Sequence, residues 1–167
     1  MKERKILDKA SIEVMVMRMS HQVHEQFFGF DELIILGIKT EGLELAHRLN
    51  SHLVEMKAFK TEVIGVSLDK HQNSKPEIRF SQSLKTIDGK PILLVDDVLN
   101  SGRTLAYCLS PLVDFQIPRL LIAVLVERIY RKFPVSASIT GLPLSTTIEE
   151  NVVVRLTGDE GEGVFLS

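Results

Sequence analysis

The sequence predicts an α/β fold with a five-stranded, mainly parallel sheet and helices on both faces. Two observations support this prediction. Short, almost wholly apolar runs alternate along the chain with longer segments in which apolar residues recur every three or four positions. The short runs lack the polar alternation of a half-exposed strand, which is typical of strands buried on both faces of a parallel sheet. The length of 167 residues fits one domain, residues 1–167, with a single core.

The predicted elements can be placed in order along the chain. Apolar residues at helical spacing predict helices at 11–28, 42–56 and 104–115, with Asp8 as a candidate N-cap of the first. Apolar runs predict strands at 33–38, 61–68, 92–95, 120–126 and 152–156. Residues 69–83 are polar and predict a loop with at most two weak strands. The prolines and glycine between 134 and 143 predict irregular chain.

Composition and charge narrow the classes of protein to consider. The net charge of −2 does not favour a large basic surface for nucleic acid. Cys108 is the only cysteine, which excludes an intramolecular disulfide and a multi-cysteine metal site and fits a reducing cytoplasm. Because Cys108 lies in an apolar helical stretch, we expect it to be buried rather than nucleophilic. The sequence shows no signal-peptide core and no apolar run of membrane-spanning length, so we expect a cytoplasmic protein without a membrane partner.

Residues 92–104 carry the clearest functional signal. An apolar run ends on the adjacent carboxylates of Asp96 and Asp97, and a polar turn and the start of a helix follow. Such a turn can hold an anion with backbone N–H groups and hydroxyls, and the helix dipole favours negative charge there. Two carboxylates repel a bare phosphate but accept hydrogen bonds from vicinal sugar hydroxyls. The segment therefore predicts a site for a ribose phosphate.

Polar residues follow two other predicted strands at the same edge of the sheet. Lys39 and Thr40 come after one strand, and Glu127 and Arg128 come after another. The carboxyl ends of parallel strands meet at one edge, where ligands of such sheets bind. We therefore expect these residues to converge with the acid pair on one site.

Three other interpretations of the sequence motifs are not supported, each because particular residues are missing. The glycines of residues 37–42 have Walker A spacing, but Leu43 and Glu44 stand where Lys and Ser or Thr are needed, which excludes an NTPase site. A receiver domain needs a phosphoacceptor Asp near the next strand, and residues 115–158 contain no Asp. His21 and His24 lack a zinc-binding pattern, so we expect them to face solvent or nucleic acid.

Residues 95–104 resemble the fingerprint of the type I phosphoribosyltransferases, which bind 5-phosphoribosyl-1-pyrophosphate. The rest of the chain is similar to one branch, the pyrimidine-operon attenuation protein/uracil phosphoribosyltransferase family. The similar segments are Gly37-Ile-Lys-Thr-x-Gly42 with its following helix, Val124-Leu-Val-Glu-Arg128 with Arg131 and Pro134, and the closing Pro143 and Val152-Val-Val-Arg-Leu156. Their order and spacing cover nearly the whole chain.

The resemblance implies a phosphoribosyltransferase fold with a small C-terminal hood, and it assigns roles to residues. Asp96 and Asp97 would be catalytic and would hold the ribose hydroxyls. The ribose 5-phosphate would be bound by Asp96, Asp97, Val98, Leu99, Asn100, Ser101, Gly102, Arg103 and Thr104. The pyrophosphate loop would consist of Lys39, Thr40, Glu41 and Gly42, and the base hood of Val126, Glu127 and Arg128. No residue would bind metal directly, since Mg²⁺ would be held by the substrate, with a link through water near Asp96 and Asp97.

The function that the resemblance implies is transfer of ribose 5-phosphate to a pyrimidine, with uracil as the expected base and UMP and pyrophosphate as products. Asn100 stands where purine phosphoribosyltransferases have an acidic residue near the base. An amide cannot act as a general base at neutral pH, which favours uracil because its N1 proton is the more acidic. The expected partners are phosphoribosyl pyrophosphate, nucleobase, nucleotide and a second copy of the chain in a homodimer.

The alternative function is a nucleotide-sensing, RNA-binding attenuator of pyrimidine genes with little catalysis. The resemblance then implies mRNA contacts from Arg18, His21 and Arg131. Ser136 and Leu142 stand where the family has basic residues. Because each missing phosphate contact removes part of the electrostatic attraction, we expect RNA binding that is weak and strongly salt-sensitive, or absent.

Other departures from the family pattern concern catalysis. Glu41 occupies the loop position where the family usually has Arg. We expect Glu41→Arg to tighten substrate binding if the side chain points at the pyrophosphate, and to be nearly silent if it faces solvent. Residues 67–70 lack the family's Tyr-Arg-Asp-Asp, and Ile129 and Tyr130 replace its Gly-His in the hood.

Overall fold

The computed structural model of the chain describes residues 3–69, 76–129, 131–146, 150–157 and 161–167. In these residues the helices are α1 (Lys9–Gln26), α2 (Glu41–Glu55) and α3 (Arg103–Leu109), with 3₁₀ turns at Leu84–Ile87 and Ser110–Asp114. The strands are β1 (Arg4–Asp8), β2 (Glu32–Ile38), β3 (Lys60–Asp69), β4 (Glu77–Phe80), β5 (Ile92–Leu99), β6 (Leu120–Arg128), β7 (Ile139–Leu144), β8 (Val152–Arg155) and β9 (Gly163–Leu166).

The larger of two sheets has six strands in the order β4-β3-β2-β5-β6-β7. All neighbours in it are parallel except β4, which pairs antiparallel with β3. The predicted α/β fold with a mainly parallel sheet is confirmed, and the predicted count of five strands is wrong. Pro143 predicts irregular chain at β7, but β7 is an edge strand, where a proline is tolerated.

The smaller sheet contains three antiparallel strands in the order β1-β9-β8. The predicted strand at 152–156 lies here as β8, and therefore is not the fifth strand of the main sheet. β1 and β9 were not predicted. They come from opposite ends of the chain and pair with each other, with Arg4 opposite Leu166.

Helices cover both faces of the main sheet, as predicted. Successive strand residues point to opposite faces, so each strand supplies two cores. Leu33 and Ile35 of β2 pack in the core beneath α1 and α2, while Ile34 and Leu36 pack in the core beneath α3. None of the helices in the described part of the chain is long and apolar enough to cross a membrane.

The ends of the helices follow from local chemistry. The Asp8 carboxylate accepts a hydrogen bond from the Ser11 N–H at 2.8 Å, which caps α1 as predicted and lowers the pKa of Asp8. The helix predicted at 104–115 is shorter than expected. α3 ends at Leu109, and the chain continues as a 3₁₀ turn that contains Pro111, which has no N–H to continue the α-helical ladder.

Cys108 is buried on α3, as predicted, and its thiol should be unreactive in the folded protein. Burial raises the pKa of Cys108 to about 12, with the nearby Asp96 adding to the effect. Since the thiolate is the reactive form, we expect an aromatic disulfide reagent at about pH 8 to label native protein at least roughly a hundredfold more slowly than unfolded protein. Fast labelling without unfolding, followed by absorbance in native buffer and in guanidinium, would contradict this placement.

Candidate active site

The acid pair lies within β5 rather than beyond its end. The strand continues past residue 95, where it was predicted to stop, and Asp96 pairs in register with Val124 of β6. Asp96 is buried and Asp97 is half-buried, and the Asp97 N–H donates to Asp96 Oδ1 at 3.1 Å. Burial raises the pKa of Asp96 well above its usual range, and the Asp97 charge raises it further. Burial also raises the pKa of Asp97. Raised carboxylate pKa values in a cleft are a mark of a functional site.

A cavity of about 500 Å³ opens at the carboxyl edge of the sheet. This volume is in the range of small-molecule sites. Its polar lining consists of Lys39, Asp96, Asp97, Asn100 and Thr104. Its apolar lining consists of Ile38, Leu68, Val98 and the three valines at 152–154 of β8. The structure thus brings together residues that the sequence analysis placed after two different strands.

A second, smaller cavity of about 60 Å³ lies beside the first and is formed by the turn between β5 and α3. Residues 98–105 line it together with Asp96. Gly102 has a φ of +79°, a left-handed conformation that favours glycine. The Ser101 carbonyl accepts hydrogen bonds from the N–H groups of Lys132 and Phe133 at 3.1 and 3.0 Å, which holds the turn against the segment after β6. Leu99 is buried at the end of β5.

The turn between β2 and α2 contributes Lys39 to the lining of the main cavity, whereas Thr40, Glu41 and Gly42 do not line it. It consists of Lys39 and Thr40, which are joined by a cis peptide bond, and α2 starts at Glu41. Lys39 supplies the one cation among the described residues that line this cavity. A Cβ added at Gly42 would lie 2.9 Å from the Asp96 Cα and 3.1 Å from its Oδ1. The start of α2 therefore lies directly against the acid pair.

This close approach makes Gly42→Ala a test of the packing between α2 and the acid pair. The added methyl must displace the backbone of β5 or α2, at a cost of about 1–3 kcal/mol, which exceeds the gain of at most about 1 kcal/mol in helix propensity. We expect a lower midpoint of thermal unfolding and weaker binding of ribose 5-phosphate, measured by calorimetry. The control is Gly65→Ala, whose Cβ would meet its nearest atom at 3.4 Å, an ordinary contact. A silent Gly42→Ala would contradict the expected crowding.

Glu41 points neither at the cavity nor at open solvent, so neither condition of the sequence-based expectation for Glu41→Arg is met. Its Oε2 accepts hydrogen bonds from the N–H groups of Leu156 and Thr157 at 2.7 and 3.1 Å, and its Oε1 accepts one from the Thr157 hydroxyl at 2.7 Å. The charge of Glu41 adds to the raised pKa of Asp97. Glu41 therefore ties the start of α2 to the chain that leaves β8.

The three residues predicted as the base hood lie in different environments. Val126 is fully buried in the core beneath α1 and α2 and does not line the main cavity. Glu127 is bound by the Thr140 hydroxyl at 2.6 Å and by the Arg131 guanidinium. Arg128 is buried and donates to the Thr146 hydroxyl at 2.7 Å and to Asn100 Oδ1 at 3.1 Å.

The residues that form the roof of the cavity are not among the site residues predicted from the sequence. These are Val152, Val153 and Val154 of β8, which pairs only with β9 in the described sheets. Val152 and Val154 are buried in the core, and Val153 between them is half-buried. The strand itself was predicted, but its position depends on the unpredicted pairing of β1 with β9. The consecutive valines were the available signal, since a short apolar strand with a half-exposed central residue can present a face to a ligand.

The residues with an expected role in RNA binding are all exposed, and two are committed to protein contacts. Arg18 on α1 donates to the Gly141 carbonyl at 2.5 Å, and Arg131 pairs with Glu127. His21 lies exposed on the same helix as Arg18. Tyr130, which the sequence analysis noted in the hood, lies outside the described residues.

The described residues contain no group of three or more His, Cys, Asp or Glu side chains placed to hold a metal ion. His24 packs against the Phe59 ring at 5.7 Å, edge to face. The two adjacent carboxylates of β5 supply oxygen ligands, the type that Mg²⁺ prefers when it keeps several waters and takes its remaining ligands from a substrate. The donor set therefore fits a metal that arrives with a phosphorylated ligand.

Comparisons with known proteins agree with this geometry. The family model of the phosphoribosyl transferase domain matches residues 4–157. The bifunctional protein PyrR of Brevibacillus brevis is 35% identical over 158 residues, which cover 90% of this chain and 88% of that protein. The bifunctional protein PyrR of Streptomyces coelicolor is 33% identical over 170 residues, which cover 98% of this chain and 88% of that protein.

Solved structures show the same fold at lower sequence identity. A hypoxanthine-guanine phosphoribosyltransferase from Bacillus anthracis has a TM-score of 0.79 at 16% identity, covering 100% of this chain and 99% of that chain. A hypoxanthine phosphoribosyltransferase from Trypanosoma cruzi, in a ternary complex with substrates, has a TM-score of 0.80 at 14% identity, covering 96% and 92%. Because the family model spans most of the chain and the PyrR proteins align along nearly all of it, the chain belongs to the phosphoribosyltransferase family, in the group of the PyrR proteins.

Proposed function

We propose that this phosphoribosyltransferase, as one domain spanning residues 1–167, transfers ribose 5-phosphate from phosphoribosyl pyrophosphate to uracil, giving UMP and pyrophosphate. The observation that carries the proposal is the main cavity. It joins the acid pair of β5, an anion-sized turn and an apolar roof at one edge of the sheet. The similarity to PyrR proteins along nearly the whole chain supports a pyrimidine as the base.

Each part of the cavity has a chemical task in this proposal. Asp96 and Asp97 accept hydrogen bonds from the two ribose hydroxyls, which relieves part of the cost of burying two carboxylates. The turn of residues 100–104 holds the 5′-phosphate with N–H groups and hydroxyls. Lys39 and the N-terminus of α2 face the leaving pyrophosphate. Together these groups fix the anomeric carbon in position, and such positioning accounts for much of the rate gain in group transfer.

Magnesium fits the proposal as a partner of the substrate. Asp96 and Asp97 would hold it through water beside the ribose, in keeping with their oxygen donors. When bound, the ion neutralises charge on the pyrophosphate as it leaves. Lys39 and the backbone of α2 provide the protein's own share of that neutralisation.

The base would lie in an apolar slot between two strands. Val98 of β5 and the half-buried Val153 of β8 are among the apolar residues that line the cavity and would contact the base. A flat ring with polar edges suits such a slot, because its faces can be buried while its edges keep hydrogen-bonding partners. In this proposal β8 covers the base, while residues 126–128, the expected hood, do not line the main cavity.

A base screen tests the proposal directly. The protein is incubated with phosphoribosyl pyrophosphate, Mg²⁺ and one nucleobase at a time, and release of pyrophosphate and formation of nucleotide are followed. We expect turnover with uracil to exceed that with cytosine, hypoxanthine or guanine. Faster turnover with a purine would contradict uracil as the substrate, and no turnover with any base would contradict the proposed transfer.

A second candidate function, RNA binding in response to nucleotide, is favoured by one observation: the relatives are named bifunctional. Against it, Arg18 and Arg131 already bind protein groups, and Arg131 is paired with a carboxylate. We therefore propose that catalysis outweighs RNA binding in this chain. A UMP-dependent nanomolar complex with a pyrimidine-operon leader RNA at physiological salt would reverse that order.

A further inference from the structure

The orientation of the Asn100 amide is fixed by a buried arginine. Arg128 is 8% exposed, and its Nη1 lies 3.1 Å from Asn100 Oδ1. A guanidinium has donors and no acceptor, so the amide oxygen of Asn100 must face it. Arg128 is itself held by the Thr146 hydroxyl, which accepts from its Nε at 2.7 Å. The amide therefore has one defined orientation instead of two equivalent ones.

This orientation leaves the amide NH₂ of Asn100 as the group that a ligand meets. Asn100 lines both the main cavity and the smaller cavity beside it, and its side chain is exposed. Within the described chain the amide nitrogen has no hydrogen-bond partner. The site thus presents a donor, with the acceptor turned away, at the junction of the base slot and the phosphate turn.

We propose that Asn100, oriented by Arg128, selects a base that presents a carbonyl oxygen or an unprotonated ring nitrogen at this point. The inference rests on the proposed function and deepens it, because it names the base edge that the site reads. Uracil carries oxo groups that accept a hydrogen bond. A base that must donate a ring N–H here meets the Asn100 NH₂ group, and two donors facing each other leave both unpaired, which costs affinity.

The hydrogen bond between Asn100 and Arg128 distinguishes this site from one that has a carboxylate at position 100. A carboxylate only accepts, so it would suit a ring N–H, and the buried guanidinium of Arg128 would hold it as an ion pair. With Asn, the same guanidinium takes up the only acceptor of the side chain. Arg128 is thus a positioning residue and Asn100 a specificity-determining residue.

The test compares UMP with ribose 5-phosphate, which lacks the base but shares the sugar and phosphate. Calorimetry is run on the full chain and on Asn100→Ala and Asn100→Asp, with thermal unfolding to confirm that each variant folds. We expect Asn100→Ala to weaken UMP roughly three- to tenfold, the range for loss of one neutral hydrogen bond. Ribose 5-phosphate should change less than about twofold in the same variant. Asn100→Asp should lower the affinity ratio of UMP to ribose 5-phosphate further, because a second acceptor then meets the oxo group.

The outcomes distinguish this inference from the proposed function. If both variants keep the wild-type ratio of UMP to ribose 5-phosphate affinity, the inference is wrong, whether or not the protein turns over uracil. If the wild-type protein binds neither ligand, the proposed function fails and the inference fails with it. A fall in the ratio with retained binding of ribose 5-phosphate would establish Asn100 as the residue that reads the base.

Discussion

Replacing Asp97 with Asn is expected to weaken binding of UMP and ribose 5-phosphate about tenfold or more and to stabilise the folded protein at the same time. Charge-assisted hydrogen bonds contribute about 1.5–3 kcal/mol, which accounts for the loss of affinity. The gain in stability is expected because burial and repulsion by the Asp97 charge raise the pKa of Asp96, and burial raises the pKa of Asp97. Removing one charge relieves this repulsion, and each 1 kcal/mol raises the unfolding midpoint by about 2–4 °C in a domain of this size.

The raised pKa values of Asp96 and Asp97 determine how the stability of the folded protein changes with pH. Because the folded protein binds these protons more tightly than the unfolded chain, stability from the pair is fully present below the ordinary carboxyl pKa of about 3.9. It is lost as the pH rises through the raised pKa values of the pair. The stability difference between Asp97→Asn and wild type should therefore grow from about pH 4 to about pH 7. It is measured by thermal unfolding at each pH.

The control is Asp31→Asn, an exposed acid just before β2, at the amino end of the parallel strands and away from the cavity. This variant should keep both the affinity for UMP and the unfolding midpoint. Unchanged affinity in both Asp96→Asn and Asp97→Asn would contradict their role as acceptors for the ribose hydroxyls. A lower midpoint of thermal unfolding in Asp97→Asn would contradict the expectation that the charged pair destabilises the folded protein.

Glu41→Arg is expected to destabilise the protein and weaken UMP binding, although Arg is the residue that the resemblance to the family implies at this position. The carboxylate accepts three hydrogen bonds from Leu156 and Thr157, and arginine accepts none. The two N–H groups and the hydroxyl would then face a second set of donors. Allowing for partial exposure, we expect a loss of stability of about 2 kcal/mol or more. UMP affinity should fall more than about tenfold, since the valine roof is attached to this segment.

Glu41→Gln is the matched variant that separates hydrogen bonding from charge. Its amide oxygen can accept from the two N–H groups while its NH₂ donates to the Thr157 hydroxyl, so the roof should stay in place. Removal of the negative charge beside Asp97 should keep or slightly raise affinity for pyrophosphate, measured by calorimetry. If Glu41→Arg tightened pyrophosphate binding without a loss of stability, the contacts to Leu156 and Thr157 would not matter in solution.

An element of this fold could be predicted from the sequence when the pattern that specifies it lies within the element itself. The apolar runs of β2, β5 and β6 and the helical spacing of α1 and α2 are local patterns, and each led to the right element. β1 and β9 are short strands that pair across the whole chain, so nothing in either segment alone shows its partner. The end of β5 was misjudged because carboxylates usually mark the end of a buried strand, whereas Asp96 stays in register with Val124.

The same distinction holds for the site, where some residues could be predicted from the sequence and some contacts could not. The polar groups of residues 96–104 follow one another in the sequence, so their convergence could be predicted from order alone. The contacts of Glu41 and Arg128 connect positions far apart in the chain, and only the folded structure reveals them. Glu41, at a position where the resemblance implies Arg, suggested an electrostatic defect when only the sequence was considered. Its actual partner is a pair of backbone N–H groups in a segment 115 residues away.

The three-stranded sheet has a consequence for how the protein acquires its site during synthesis. A ribosome releases the chain from the amino end, and β1 and the whole parallel sheet emerge well before β9. β8 acquires its strand partner only when β9 has emerged and joined it to β1, because β9 lies between them. Until then a nascent chain that has completed the acid pair and the phosphate turn holds β8 through Glu41 and the core contacts of Val152 and Val154. The roof is therefore fixed to the smaller sheet only after residues 163–166 have left the ribosome, so nucleotide binding stabilises the nascent fold fully only late in synthesis.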